Sequence, residues 1–100
     1  MAGGADRVVW KRNGEKKLRL EKVRNALEQK RISFEYFEED GCGSIDFIFR
    51  GLKFHVWEFQ ENGIFGAETN IFNVGKAKDI EGDYEKVIAD EIFSWPDMIA

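Results

Sequence analysis

The stretch Ser44-Ile45-Asp46-Phe47-Ile48-Phe49-Arg50-Gly51-Leu52-Lys53-Phe54-His55-Val56-Trp57-Glu58-Phe59 decides the fold. Two runs rich in aromatic and β-branched residues alternate with polar ones, and Arg50-Gly51 separates them as a two-residue hairpin turn would. With that turn Phe49 faces Leu52, Phe47 faces Phe54 and Ile45 faces Val56, so these six side chains line one side of a sheet, its core side. The other side carries Ser44, Asp46, Ile48, Lys53, His55, Trp57 and Phe59, with Asp46 directly across from His55. So many aromatic groups mark this second side as more than a wet surface, one to be covered by the N-terminal segment around Val8-Val9-Trp10, a helix, a second copy or a partner.

Upstream, Ser33 to Glu38 has strand chemistry in Phe34, Tyr36 and Phe37, and Glu39-Asp40-Gly41-Cys42-Gly43 breaks the chain before the hairpin. From about Glu15 to Arg31 strong helix formers predominate, and Leu18, Leu20, Val23, Ala26 and Leu27 recur at helical spacing. That predicts an amphipathic helix whose opposite face holds Lys17, Glu21, Arg24, Glu28 and Arg31. Earlier still, Arg7-Val8-Val9-Trp10-Lys11 followed by Arg12-Asn13-Gly14 reads as a short lead strand or arm over 7–14, behind a disordered start at 1–6.

Downstream, Glu61-Asn62-Gly63 is a turn, and Ile64-Phe65 with Glu68 to Val74 offers one or two further strands interrupted at Gly66. Residues 75–78 read as a loop. Asp79-Ile80-Glu81-Gly82-Asp83 then places acids ahead of a helix running from Tyr84 to about Phe93, with Tyr84, Val87, Ile88, Glu91 and Ile92 inward and Pro96 beyond its end. The expectation is one α+β domain over 1–100. A single antiparallel sheet of three to four strands is packed on one face by two helices, in the order α-β-β-β(-β)-α.

Composition narrows the classes of function. Apolar residues form 43% of the 100 and aromatic residues 14%, enough for a core without staples. No run of about 18 apolar residues and no apolar signal region occurs, so the expectation is a cytoplasmic protein without a membrane role. One cysteine, Cys42, excludes an internal disulfide, and one histidine with it is too few for a four-ligand zinc site; no cofactor is expected. The net charge of −4 hides a division: residues 6–31 hold ten of the fifteen basic residues against four acids, while residues 32–100 hold five basic and fifteen acidic residues.

Several constellations invite chemistry. Asp46 on one strand and Glu58-Phe59-Gln60 on the next resemble the metal-dependent nucleases of the PD-(D/E)XK class, in which carboxylates hold a divalent ion that generates hydroxide. The resemblance implies Asp46 and Glu58 as metal ligands, with Gln60 where that class has Lys. Against it, the hairpin register puts Asp46 and Glu58 on opposite faces, and the plainer alternative is a surface Asp and a strand-end Glu. His55 beside Asp46 has the makings of an oriented general base, although a structural cross-strand pair explains it as well. Cys42 sits between glycines in an acidic loop, where carboxylates raise a thiol pKa that nucleophilic catalysis needs lowered.

Gly41-Cys42-Gly43-Ser44 lacks the Gly-Lys-Ser/Thr ending of a phosphate loop. The element order also resembles the double-stranded-RNA-binding domain, but Asp79, Glu81, Asp83 and Glu85 stand where that domain grips phosphate with basic residues. Nucleic-acid contact is then left to Lys16, Lys17, Arg19, Lys22 and Arg24 of the first helix, whose plainer reading is helix salt bridging.

From Leu18 to Trp95 the chain is similar to a group of small uncharacterised bacterial proteins, through Gly43-Ser44-Ile45-Asp46-Phe47, His55-Val56-Trp57-Glu58 and Asp79-Ile80-Glu81-Gly82-Asp83-Tyr84. Some of these carry the label "kinase", whose motifs this chain lacks. The resemblance implies a bacterial cytosolic protein. The sequence is read first as a non-catalytic interaction or regulatory domain that presents Ile48, Lys53, His55, Trp57 and Phe59 to a protein partner or a second copy. The nuclease and the basic-helix readings stand as alternatives.

Overall fold

A computed structural model describes residues 18–73 and 75–96. Helix α1 (Glu21–Gln29) is followed by strands β1 (Phe34–Glu39), β2 (Cys42–Phe49), β3 (Leu52–Glu61), β4 (Ile64–Thr69) and β5 (Lys78–Glu81), and then by helix α2 (Tyr84–Phe93). The strands form one antiparallel meander in the order β1-β2-β3-β4-β5. The α+β class is therefore as expected, with five strands where three to four were read. The tail at 1–6, the lead strand at 7–14 and the start of the first helix at 15–17 lie outside the described residues.

Three two-residue turns build the meander. At Asp40-Gly41, Arg50-Gly51 and Asn62-Gly63 both residues have positive φ, the type I′ geometry whose twist matches that of paired strands. The central hairpin has the register its turn dictates, with Phe49 opposite Leu52, Phe47 opposite Phe54, Ile45 opposite Val56 and Asp46 opposite His55. Ile45, Phe47, Phe49, Phe54 and Val56 are buried, whereas Leu52, beside the turn, stays 45% exposed.

The inward residues form one cluster with Val23, Ala26 and Leu27 of α1 and Tyr84, Ile88, Ala89 and Ile92 of α2, so both helices cover the same side of the sheet. Trp95 closes the end of that layer, its ring stacked 4.8 Å from Phe49 and tilted against Phe54 at 5.4 Å. Val87, read as inward, is exposed instead.

Two further differences have local causes. Residues 18–20, read as part of the first helix, precede its described start at Glu21, because Leu20 adopts a left-handed conformation (φ 57°) that stops helical hydrogen bonding before it. Leu20 has no side chain with which to cap the helix, and the Glu85 carboxylate of α2 accepts the Lys22 N–H at 3.0 Å in its place. Gly66 does not interrupt β4. It faces Phe59, and a Cβ there would lie 2.7 Å from that ring and 2.9 Å from the Ile80 carbonyl oxygen, so glycine is what lets both β3 and β5 approach. The acids read as a helix lead-in, Asp79 to Glu81, pair with β4 as its edge strand.

Candidate functional site

Glu58 lies on β3 with its carboxylate turned into the core layer and its side chain fully buried. A charge there is tolerable only if every oxygen is matched. Arg19 supplies a two-pronged pair, Nε to Oε1 at 2.7 Å and Nη2 to Oε2 at 3.1 Å; the Gly43 N–H donates to Oε1 at 2.9 Å and the Tyr84 hydroxyl to Oε2 at 2.6 Å. The Arg19 guanidinium also lies 4.3 Å from the centre of the Phe65 ring. Arg19 continues the network through its N–H to Tyr36 Oη at 2.8 Å, and Tyr36 donates onward to Glu38 at 2.9 Å. One carboxylate thus joins the entry to α1, strand β2 and the first residue of α2.

This environment moves the neighbouring protons. The Glu58 carboxylate, as a hydrogen-bond acceptor and as a charge, raises the Arg19 pKa against the opposing effect of partial burial. Burial raises the Tyr36 and Tyr84 phenols, with the Glu38 and Glu58 carboxylates adding to it. Cys42, half-buried at the start of β2, is raised by burial and then by Glu58, which leaves its thiol less nucleophilic than a free one. The direction is the one the acidic surroundings predicted, but burial is its main cause.

Asp46 emerges on the opposite side of the sheet from Glu58 and is exposed. Two carboxylates on opposite faces cannot share an ion, so the pair Asp46 and Glu58 has no metal centre to form, and Gln60 stands exposed near the end of β3. Among the described residues no three His, Cys, Asp or Glu side chains gather as metal ligands. Glu58 is neither at a strand end nor at the surface; sequence reasoning saw its position without its partners, which lie 15 to 39 residues away.

The outer side of the sheet is uncovered by either helix. Phe37 and Ile48 are each 58% exposed, Trp57 42% and Ile64 62%, while Phe59 is half-buried over Gly66. Trp57 is held by its indole N–H, which donates to Asp46 Oδ1 at 3.0 Å, and by the His55 ring, whose centre lies 4.1 Å away. His55 stands across from Asp46, as the register requires, but its hydrogen-bond partner is Glu68, at 3.2 Å from Nε2. The expected Asp46–His55 dyad is therefore replaced by two crossed pairs, Asp46 with Trp57 and His55 with Glu68.

The backbone under His55 is fixed from β4. Asn70 Oδ1 accepts the His55 N–H at 3.0 Å, its Nδ2 donates to the Lys53 carbonyl at 3.1 Å, and Thr69 Oγ1 donates to the His55 carbonyl at 2.6 Å. The Asn70 side chain prolongs the ladder where β4 itself has ended. These contacts hold one wall of a depression of about 660 Å³ whose lining includes Glu35, Asp46, Ile48, Lys53, His55 and Trp57. Glu35 pairs with Asp46 across β1 and β2, and Glu68 with Trp57 across β3 and β4, so carboxylates flank the indole on both sides.

Strand alternation also brings Glu39, Glu61, Asp79 and Glu81 to this side, which makes seven carboxylates against one lysine, Lys53. The basic helix offers much less. Arg19 is spent on Glu58, and Arg24 donates to the carbonyls of Arg19 and Leu18 with its guanidinium 5.5 Å from the Tyr36 ring. Of the three described cations read as a nucleic-acid surface, Arg19, Lys22 and Arg24, Lys22 alone is exposed; Lys16 and Lys17 lie outside the described residues. Among the described residues no helix is long and apolar enough to cross a membrane. In comparison with family models, with curated proteins and with solved structures, the chain has no match.

Proposed function

We propose that this chain is a non-catalytic interaction domain whose outer sheet face docks a basic protein segment carrying an aromatic or branched apolar anchor. The observation that carries this reading is the coincidence, on the sheet face that neither described helix covers, of exposed apolar groups with an excess of carboxylates. An apolar face alone would suit a second copy of the chain. Two such faces laid together would oppose seven carboxylates to seven, whereas a segment bearing Lys or Arg matches them and sets its apolar side chains on Phe37, Ile48 and Trp57. The depression beside Trp57 has the composition that receives a guanidinium or ammonium group: the indole with Glu35 and Asp46 in its lining, and Glu68 across from the indole on β4.

The test is a titration of the isotope-labelled protein with two synthetic peptides of equal apolar content, one rich in Lys and Arg and one rich in Glu. The basic peptide is expected to shift the resonances of Phe37, Ile48, Lys53, His55 and Trp57, and Trp57→Ala is expected to weaken it about tenfold, the loss of one well-packed anchor. Added salt should weaken binding as well. Equal response to both peptides, shifts confined to the helices, or a monomer–dimer equilibrium that accounts for the covered face would each overturn the reading.

A further inference from the structure

The residues just before the described chain have the chemistry this face asks for. Asp6-Arg7-Val8-Val9-Trp10-Lys11-Arg12-Asn13-Gly14-Glu15-Lys16-Lys17 holds five basic residues against two acidic ones, around the apolar triplet Val8-Val9-Trp10. We propose that this segment is the first occupant of the outer sheet face, bound in cis, so that an outside partner must displace it. The inference rests on the face being a docking surface for basic segments, and it adds that the surface is closed by the protein's own chain until a competitor arrives.

Charge complementarity is one argument and reach is the other. Arg19 is pinned beside β1 and β2: its N–H donates to Tyr36 Oη, and a Cβ on Gly43 would lie 3.2 Å from its own Cβ. The chain therefore leaves Leu18 near the end of the sheet that carries the Asp40-Gly41 and Asn62-Gly63 turns. Phe37, Trp57, Phe59 and Ile64 stand on the opposite face toward this same end. Eight residues separate Leu18 from Trp10, a reach of up to roughly 26–29 Å when extended, against roughly 10 Å, two strand spacings, from β2 around the edge at β1. A tethered ligand of this kind acts at an effective concentration in the millimolar range, so even a weak contact stays occupied.

The experiment compares two full-length proteins, the natural chain and the triple variant Arg7→Glu, Lys11→Glu, Arg12→Glu, each titrated with a synthetic peptide of residues 6–17. With the tether disabled the face is open, and the peptide is expected to bind the variant at least tenfold more tightly than the natural chain. The Trp57 indole resonance should also move between the two free proteins while that of Trp95, on the covered side, stays in place. Equal, Trp57-dependent affinity for both proteins would overturn the cis occupant and leave the docking surface standing. Absence of Trp57-dependent binding to either protein would overturn both. A natural chain that sediments as a dimer, and as a monomer once the three residues are reversed, would place the segment on a second copy and so refute its binding in cis.

Discussion

Tyr84 donates its hydroxyl to Oε2 of Glu58 at 2.6 Å, which ties the first residue of α2 to the inner side of β3. The same carboxylate accepts from Arg19 and from the Gly43 backbone, so three separate pieces of the chain are registered on one buried charge. A charge so placed is costly to bury but more costly to abandon, since removing it strands its donors.

Replacing Glu58 should therefore destabilise in graded fashion. Glu58→Ala, which orphans the Gly43 N–H and the Tyr84 hydroxyl and leaves Arg19 to find water, is expected to cost about 3 kcal/mol. Tyr84→Phe removes one hydrogen bond to a charged acceptor and should cost about 1.5 kcal/mol. Urea midpoints at constant m-value measure both. A Glu58→Ala loss smaller than that of Tyr84→Phe would contradict the network.

The only two tyrosines of the chain, Tyr36 and Tyr84, both have phenols raised above the ordinary value of about 10, by burial first and by carboxylate neighbours second. A phenol whose folded pKa exceeds its unfolded value adds stability that is complete below pH ~10 and disappears as pH rises through the folded pKa. Absorbance at the tyrosinate band should thus stay low through pH ~10 and rise together with loss of the helical signal. Full tyrosinate formation near pH 10 in a protein that keeps its helices would refute it.

The hairpin and its two faces were legible in the sequence because Arg50-Gly51 fixes register and strict alternation does the rest. The partners of Glu58 were not, since Arg19 and Tyr84 lie 39 and 26 residues from it and only the finished packing of two helices on a sheet brings them there. β5 was hidden for a different reason: Lys78-Asp79-Ile80-Glu81 has one apolar residue, too few to show alternation, and its acids mimic the first turn of a helix. The left-handed Leu20 carried no signal, because leucine rarely adopts that conformation.

Opposite placement of Asp46 and Glu58 also makes a statement about ions. A site held by both would bind Mg²⁺ in the folded state only and raise the melting temperature with concentration, by mass action. None is formed between faces, so millimolar Mg²⁺ should leave the melting temperature unchanged and leave the Glu58→Ala difference unaltered. A rise abolished by either Asp46→Asn or Glu58→Gln would show the two acting together.

Gly66 should tolerate no side chain. A methyl group there meets the Phe59 ring and the Ile80 carbonyl, both inside contact distance, and of the two only the ring can yield. Gly66→Ala is expected to destabilise by about 2 kcal/mol, the scale of overpacking, and to swing Phe59 outward on the docking face. The double variant Gly66→Ala, Phe59→Ala should recover part of that loss. If it recovers none, the strain lies against β5 alone.

The turn on which the outer face depends carries an avoidable cost. Arg50 sits at φ 56°, a region that costs an ordinary L-residue about 1–2 kcal/mol and that Asn and Asp enter more readily, as Asn62 and Asp40 do in the two sister turns. Its compensation is a guanidinium 5.5 Å from the Phe49 ring centre, an exposed contact of at most about 1 kcal/mol. Arg50→Asn should therefore stabilise the protein by about 0.5 kcal/mol, seen as a small rise in melting temperature, with the Asp46–His55 register and the Trp57 indole resonance unchanged. A net loss would mean that the arginine over Phe49 outweighs the backbone strain, and that the end of the core layer under Trp95 leans on it.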